Sequence, residues 1–400
     1  MPVLARNRHA VVAALGVTQI FGWGCSYYFP AVLAEPVVRD TGWPFEAVIA
    51  GVSTGLMTAG LVSPLVGRLI ARRGGRPALA ASPILFAAGL GVLASSPNLL
   101  LFFAGWIVIG TAMGAGLYDA AFAALGRVYG HSARGPIATL TLFGGFASTV
   151  CWPLSAYLES HLGWRGTCLA YAAIHLCLCF PLQFMLPVTA ATENAEPSAA
   201  DVVGARAAAS PEPRAGRLAF VLLAAVMTLT AAIGSIFLAH LMVLLAARGA
   251  DPAQAVALGT LFGPAQVLAR VVERLFGAHY HPVWTLLVAA LAMAAALALF
   301  AAGLPLLAFV IVLFAAGFGI SWIARGTVPL ALFGAQRYPV IMGRLALPSL
   351  IGQALAPTLG AVVLTRASAE AAIAALAAAA ALNLVLVAVL FAWTRARARS

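Results

Sequence analysis

Two arginines sit where charged residues are rare. Arg270 and Arg325 each lie inside a long run of apolar side chains. A guanidinium offers five N–H donors in a planar fork, so at low dielectric it suits a carboxylate gripped by two parallel hydrogen bonds. Arg270 belongs to the stretch Gly263-Pro264-Ala265-Gln266-Val267-Leu268-Ala269-Arg270-Val271-Val272-Glu273-Arg274. Gln266, Arg270, Glu273 and Arg274 recur at three- and four-residue spacing, which places them on one helical face. That face has two readings. Either Arg270 and Gln266 hold an anionic substrate, or Arg270, Glu273 and Arg274 form an ionic gate cluster. Arg325 follows Trp322-Ile323-Ala324 and precedes a mostly apolar run from Thr327 to Phe333. It must face protein or a wet cavity rather than lipid, and it is the leading candidate for substrate binding or coupling. An ion pair with Asp119 is its structural alternative.

Asp119 closes the stretch Gly110-Thr111-Ala112-Met113-Gly114-Ala115-Gly116-Leu117-Tyr118-Asp119. It either binds a coupling proton or pairs with Arg127 or Arg134; Glu273 is a second carboxylate available for coupling. Gly110 and Gly114 have the spacing that lets another helix approach closely. Tyr27, Tyr28 and Trp152 are substrate-contact candidates or interfacial anchors. On a continuous helix Tyr27 and Tyr28 point about 100° apart, so only one of them faces a given cavity. His240 reads as a packed histidine or a proton relay. His279 and His281 lack a third ligand, so no metal site is expected. The five cysteines fall in apolar runs and read as small apolar residues. No cofactor is expected.

The elements that carry these residues follow from composition. Hydrophobic residues make up 63% of the chain and charged residues 9%, against about 45–50% and about 25% in soluble domains. A polypeptide of this kind is an integral membrane protein. Its 23 basic residues are all arginine. Without lysine there is no phosphate-binding loop and no Schiff-base chemistry, so neither ATP-driven pumping nor that covalent catalysis is expected. The net charge of +11 sits in short loops, which argues for membrane topology rather than nucleic-acid binding. No nucleophile–base or metal cluster points to an enzyme.

A spanning helix needs about 20 apolar residues. Twelve segments qualify, at roughly 9–34, 46–70, 78–96, 99–125, 135–159, 164–187, 217–246, 253–276, 283–302, 305–332, 340–365 and 370–394. Residues 188–216 are polar and rich in proline and alanine, and read as a disordered linker. The expected organisation is a six-helix bundle over 1–187, a cytoplasmic linker over 188–216 and a second six-helix bundle over 217–400. With both termini cytoplasmic, seventeen arginines fall inside and four outside, as positive loops require. The halves echo each other at an offset of roughly 200 residues: Pro153 answers Pro357, and Arg68 to Gly74 answers Arg270 to Gly277.

The loop Gly67-Arg68-Leu69-Ile70-Ala71-Arg72-Arg73-Gly74-Gly75-Arg76-Pro77 resembles the loop between helices 2 and 3 of the major facilitator superfamily, Gly-x-Leu-x-Asp-Arg-x-Gly-Arg-Lys. Gly67, Leu69, Arg72, Gly74 and Arg76 match; Ala71 replaces the aspartate and Gly75 the first arginine of the final pair. From the residues, the loop is either a plain topogenic turn or a gate latch built on Gly67, Arg68, Arg72, Gly74 and Arg76. The resemblance implies an all-α fold of twelve transmembrane helices in two pseudo-symmetric bundles. It also implies a substrate cavity near the midplane lined by helices 1, 4, 7 and 10. Tyr28-Phe29-Pro30, Gly42-Trp43, Gly110-x3-Gly-x-Gly-Leu-Tyr and the segment 8 arginine are similar to the monocarboxylate and oxalate/formate carriers. Ala31 and Gln266 depart from that branch. Trp106 stands where many drug exporters carry arginine.

The expected function is secondary active transport of a small organic anion by alternating access, with ion coupling, most simply to protons, in a bacterial inner membrane. A proton-coupled exporter of drugs or apolar cations, using Asp119 as counter-charge, is the alternative within transport. A non-transporting membrane sensor is the alternative of another class. Expected partners are a small-molecule substrate, a coupling ion and the bilayer, with a monomer as the working state.

Overall fold

The computed structural model describes residues 7–187 and 214–397. Arg6, Arg206, Arg399 and nearly all of the 188–216 linker lie outside them. The described residues form helices and no strand. In order these are α1 (Arg8–Gly24), α2 (Pro30–Thr41), α3 (Phe45–Arg73), α4 (Gly75–Ala94), α5 (Leu99–Gly116), α6 (Tyr118–Tyr129), α7 (Arg134–Gly145), α8 (Ala147–Ile174) and α9 (Phe180–Phe184). Then follow α10 (Arg214–Ala239), α11 (Leu241–Ala246), α12 (Pro252–Thr260), α13 (Phe262–Phe276), α14 (Pro282–Ala301), α15 (Leu307–Arg366) and α16 (Ala369–Arg397). The boundaries obey local chemistry. Asn7 and Asn98 accept backbone N–H groups at the starts of α1 and α5, and Asp251 caps α12 with Pro252 in its first turn.

Eight helical runs among the described residues are long and apolar enough to cross a bilayer. Two of them, Leu99–Phe184 and Leu307–Arg366, span 86 and 60 residues, several times one crossing, so the chain must fold back within them. Gly163 (φ 66°) interrupts α8 and Gly334 (φ 73°) interrupts α15. Both occupy the left-handed region that a side chain resists. The surface confirms the solvent: Leu100 is 82% exposed, Leu268 65% and Phe276 64%. Apolar patches on that scale suit hydrocarbon, not water.

The described residues gather into two compact units, divided as Met1–Pro211 with Phe333–Leu347, and Glu212–Leu332 with Pro348–Ser400. In the first, α3 and α5 approach through small residues. A methyl on Gly110 would fall 2.8 Å from Thr58 Cβ, and one on Gly114 2.9 Å from the Ala59 carbonyl oxygen. Between apolar helices in lipid, such packing replaces the hydrophobic effect as the associating force. In the second unit, the Phe237 and Phe314 rings pack at a tilt with centres 4.1 Å apart, within a core that includes Phe262, Phe300 and Phe318.

Several stretches that read as continuous helices are broken. The first span unwinds over Cys25–Phe29, between α1 and α2. Pro30 has no N–H to give to the turn before it, so the helical hydrogen-bond ladder is interrupted there, and it restarts α2 at that helix's first position. Further breaks fall at Leu117, His240 and Leu261. Backbone freed at membrane depth is tolerated only inside protein or against a wet cavity, so these breaks mark where polar chemistry belongs.

At one end of the first unit, Asp40 accepts a hydrogen bond from Trp164 Nε1 at 2.8 Å and forms an ion pair with Arg165, whose Nη2 donates to Ser96 O at 3.3 Å. The bonds from Trp164 and Arg165 hold the Asp40 carboxyl below its ordinary range. A depressed folded-state pKa contributes stability above the unfolded pKa of 3.8, and that contribution disappears as pH falls through the lower folded value. Asp40→Asn should therefore melt slightly below wild type at pH 7, and the gap should close as pH is lowered beneath 3.8 through the folded value, in thermal scans of detergent-solubilised protein. A difference that persists at acid pH would remove the strap from the account.

Candidate functional site

Arg325 stands on α15 and is 7% exposed. Its Nη1 donates to Ser349 Oγ at 2.7 Å, and Ser349 Oγ in turn donates to the Met227 carbonyl oxygen at 3.3 Å. The guanidinium carbon lies 5.4 Å from the Trp322 ring centre, a cation–π contact. Ser349 and Trp322 thus fix the plane of the fork. Arg325 lines a cavity of about 30 Å³ with Met227, Thr230, Phe318, Ser321 and Trp322, room for one or two waters in this conformation, so an organic anion would need it to widen. One cation, two hydroxyls and two aromatic rings face this space, and none of its described lining residues is acidic. Such a wall attracts an anion with an apolar body and repels a cation.

Arg270 does not line this cavity. It is 3% exposed, its Nε donates to the Gly319 carbonyl oxygen at 3.0 Å, and its Nη2 donates to Gln266 Oε1 at 2.8 Å. The Gln266–Arg270 pairing on one helical face follows the sequence spacing. Its direction does not: the pair ties α13 to α15, where Gly319 lets the helices close to 2.9 Å between an added methyl and Gln266 Cα. Glu273 accepts from Thr285 Oγ1 at 2.6 Å, linking α13 to α14, and Arg274 is exposed.

Tyr27 and Tyr28 depart from the helical expectation. Both belong to the unwound turn, and their rings continue one aromatic chain: Trp23 to Tyr27 at 5.7 Å, Tyr27 to Tyr28 at 5.4 Å and Tyr28 to Trp152 at 6.1 Å. The 100° argument fails because that backbone is not helical. Asp119 is half-buried in the first turn of α6, directly after the Leu117 break. It stands ten residues before Tyr129, about 15 Å along the helix, deeper in its segment than its place in the sequence suggested.

In the gate loop, α3 ends at Arg73, α4 begins at Gly75, and Gly74 turns between them at φ 79°. Gly67 and Gly343 cross face to face. A methyl on Gly67 would fall 2.5 Å from the Pro339 carbonyl oxygen and 3.2 Å from Gly343 Cα. Arg68 and Arg72 are exposed, whereas Arg76 covers the Phe184 ring at 4.3 Å. Trp106 is fully buried, so the position where drug exporters carry a charge is apolar core.

Sequence reasoning missed several contacts. His175 Nε2 lies 3.2 Å from Cys25 Sγ, so one cysteine has an imidazole neighbour 150 residues away. His240 bonds the Pro357 carbonyl oxygen at 2.9 Å, and His281 accepts the Val283 N–H at the start of α14. Ser349 and Thr230 carried no local signal; each is a small hydroxyl in an apolar run, Thr230 with Thr228 two residues before it.

Eight long apolar helical runs among the described residues, with large apolar side chains on their outer surface, are those of a multi-pass membrane protein. The Major Facilitator Superfamily model matches residues 14–278, and the chain belongs to that family. No curated relative matches it. Solved structures with the same fold include the human organic anion transporter MFSD10 (TETRAN), at 17% identity, TM-score 0.72, covering 95% of this chain and 99% of that one. FucP in the outward conformation matches at 16% identity and TM-score 0.72, covering 95% and 98%. The proton:xylose symporter XylE, bound to 6-bromo-6-deoxy-D-glucose, matches at 16% identity and TM-score 0.65, covering 94% of each chain.

Proposed function

We propose that this protein is a secondary active transporter of a small organic anion, coupled to the proton gradient and working by alternating access. The observation that carries the substrate class is Arg325, buried in a cavity lined by rings and hydroxyls with no acidic residue among its described lining. A single cavity-lining guanidinium fits one carboxylate with an apolar body better than two carboxylates or a sugar. The similarity to an organic anion transporter and to proton symporters is consistent with that reading. Asp119, beside the α5–α6 break, is the coupling carboxylate we favour; Glu273 is engaged by Thr285. Twelve crossings follow if the long runs divide at Gly130, Gly163 and Gly334 and if α1 and α2 share one span. They form two six-helix halves around the 188–216 linker, with both termini cytoplasmic and Gly67 to Arg76 as the cytoplasmic gate.

The test is reconstitution. Uptake of labelled benzoate into proteoliposomes should rise several-fold when the outside is made acidic. Gradient-driven export of a cationic dye with no carboxylate flux would replace this reading with the drug-exporter one. A fluorescent fusion at the C-terminus should light up inside the cell; darkness there would overturn the topology.

A further inference from the structure

From Ala371 to Ala392, α16 carries one side chain able to form a hydrogen bond, Asn383. It is 2% exposed. A buried amide in an apolar helix is costly unless it is engaged, so its partner matters. Asn383 Nδ2 donates to Thr230 Oγ1 at 3.1 Å, and its Oδ1 is buried with no partner among the described residues. Thr230 stands on α10 and lines the cavity beside Arg325.

The state of the Thr230 hydroxyl follows by elimination. A hydroxyl has one proton to give and two lone pairs. Helical threonines here commonly send that proton one turn back, as Thr228 does to Ala224 O at 2.7 Å and Thr327 to Ile323 O at 2.9 Å. Thr230 donates to no acceptor among the described residues. With a lone pair taken by Asn383, its proton is left for the cavity. The other cavity hydroxyl, Ser321, gives its proton to Phe318 O at 2.7 Å and offers only lone pairs.

We propose that Asn383 is a positioning residue for anion recognition: it engages the Thr230 oxygen and so presents the Thr230 O–H as a second donor beside Arg325. A carboxylate then accepts from Arg325 through one oxygen and from Thr230 through the other. An amide suits this post because it aligns the hydroxyl without adding negative charge, which a carboxylate at the same place would do.

The inference rests on the anion reading of the cavity, and the test separates the two. Benzoate and its uncharged relative benzyl alcohol are titrated calorimetrically into the purified full-length protein. Asn383→Leu and Thr230→Val should each weaken benzoate about ten-fold, the worth of one hydrogen bond to a charged group. The double variant should lose little more than either alone. Benzyl alcohol should be unaffected, and Thr230→Ser, which keeps the hydroxyl, should bind benzoate as wild type does. Asn383→Leu should melt no lower than wild type, since it removes an unpartnered buried oxygen. Should it fail to fold, the near-isosteric Thr230→Val and Thr230→Ser pair carries the test. Variants that bind benzoate normally, or lose both probes equally, would overturn the role of Asn383 alone. A wild type that binds no benzoate would overturn the anion reading and this inference with it.

Discussion

Arg325→Gln should reduce benzoate binding by about 30-fold or more and abolish its transport. Removing one partner of a desolvated charge pair costs about 2–5 kcal/mol, and each 1.4 kcal/mol is about ten-fold. The glutamine keeps much of the volume and can still reach Ser349, so the change tests charge rather than packing. Arg325→Lys should recover only part of the affinity, because an ammonium cannot reproduce the fork that meets Ser349 and a carboxylate together. Arg270→Gln makes the contrasting case. Arg270 is spent on Gly319 O and Gln266, so its loss should lower the melting temperature first and leave benzoate affinity within a few-fold. Calorimetry and melting curves on both variants decide the matter. Equal binding losses at the two positions would show that the cavity beside Arg325 is not where the anion sits.

Gly67→Val should loosen the seat of residues 333–347. A methyl alone already meets the Pro339 carbonyl oxygen and the Gly343 backbone, and overpacking of this kind costs about 1–3 kcal/mol. The readout is proteolysis. The chain has no lysine, so trypsin cuts only after arginine, and Arg337 and Arg344 lie in the seated segment. Cleavage there should accelerate several-fold in Gly67→Val and in Gly343→Val, with the double variant little worse than either. A tryptic pattern unchanged from wild type would deny the crossing any role in a gate.

Much of this molecule was legible in its sequence, for identifiable reasons. Hydrocarbon solvation writes itself as long apolar runs, and close helix crossings as paired small residues; Gly110 and Gly114 meet α3 as their spacing implied. The Gln266–Arg270 pair was visible because helical neighbours recur at fixed intervals. The breaks at Cys25–Phe29, Leu117 and His240 were not visible, since apolar composition runs straight through them and averages the interruption away. Long-range partners left no trace either. Ser349 holds Arg325 from 24 positions away, and Asn383 reaches Thr230 across 153. The one local hint is a lone amide, Asn383, in a run of alanine, leucine and valine.

Residues 333–347 lie late in the chain yet pack within the first unit, where Tyr338 fills the space over Gly126 and Gly343 meets Gly67. Cutting the gene in the linker would therefore not yield two self-sufficient products. The upstream fragment would be made with a vacant glycine groove, and the downstream one with an orphaned helix end. Each should be degraded when synthesised alone and rescued when the two are made together.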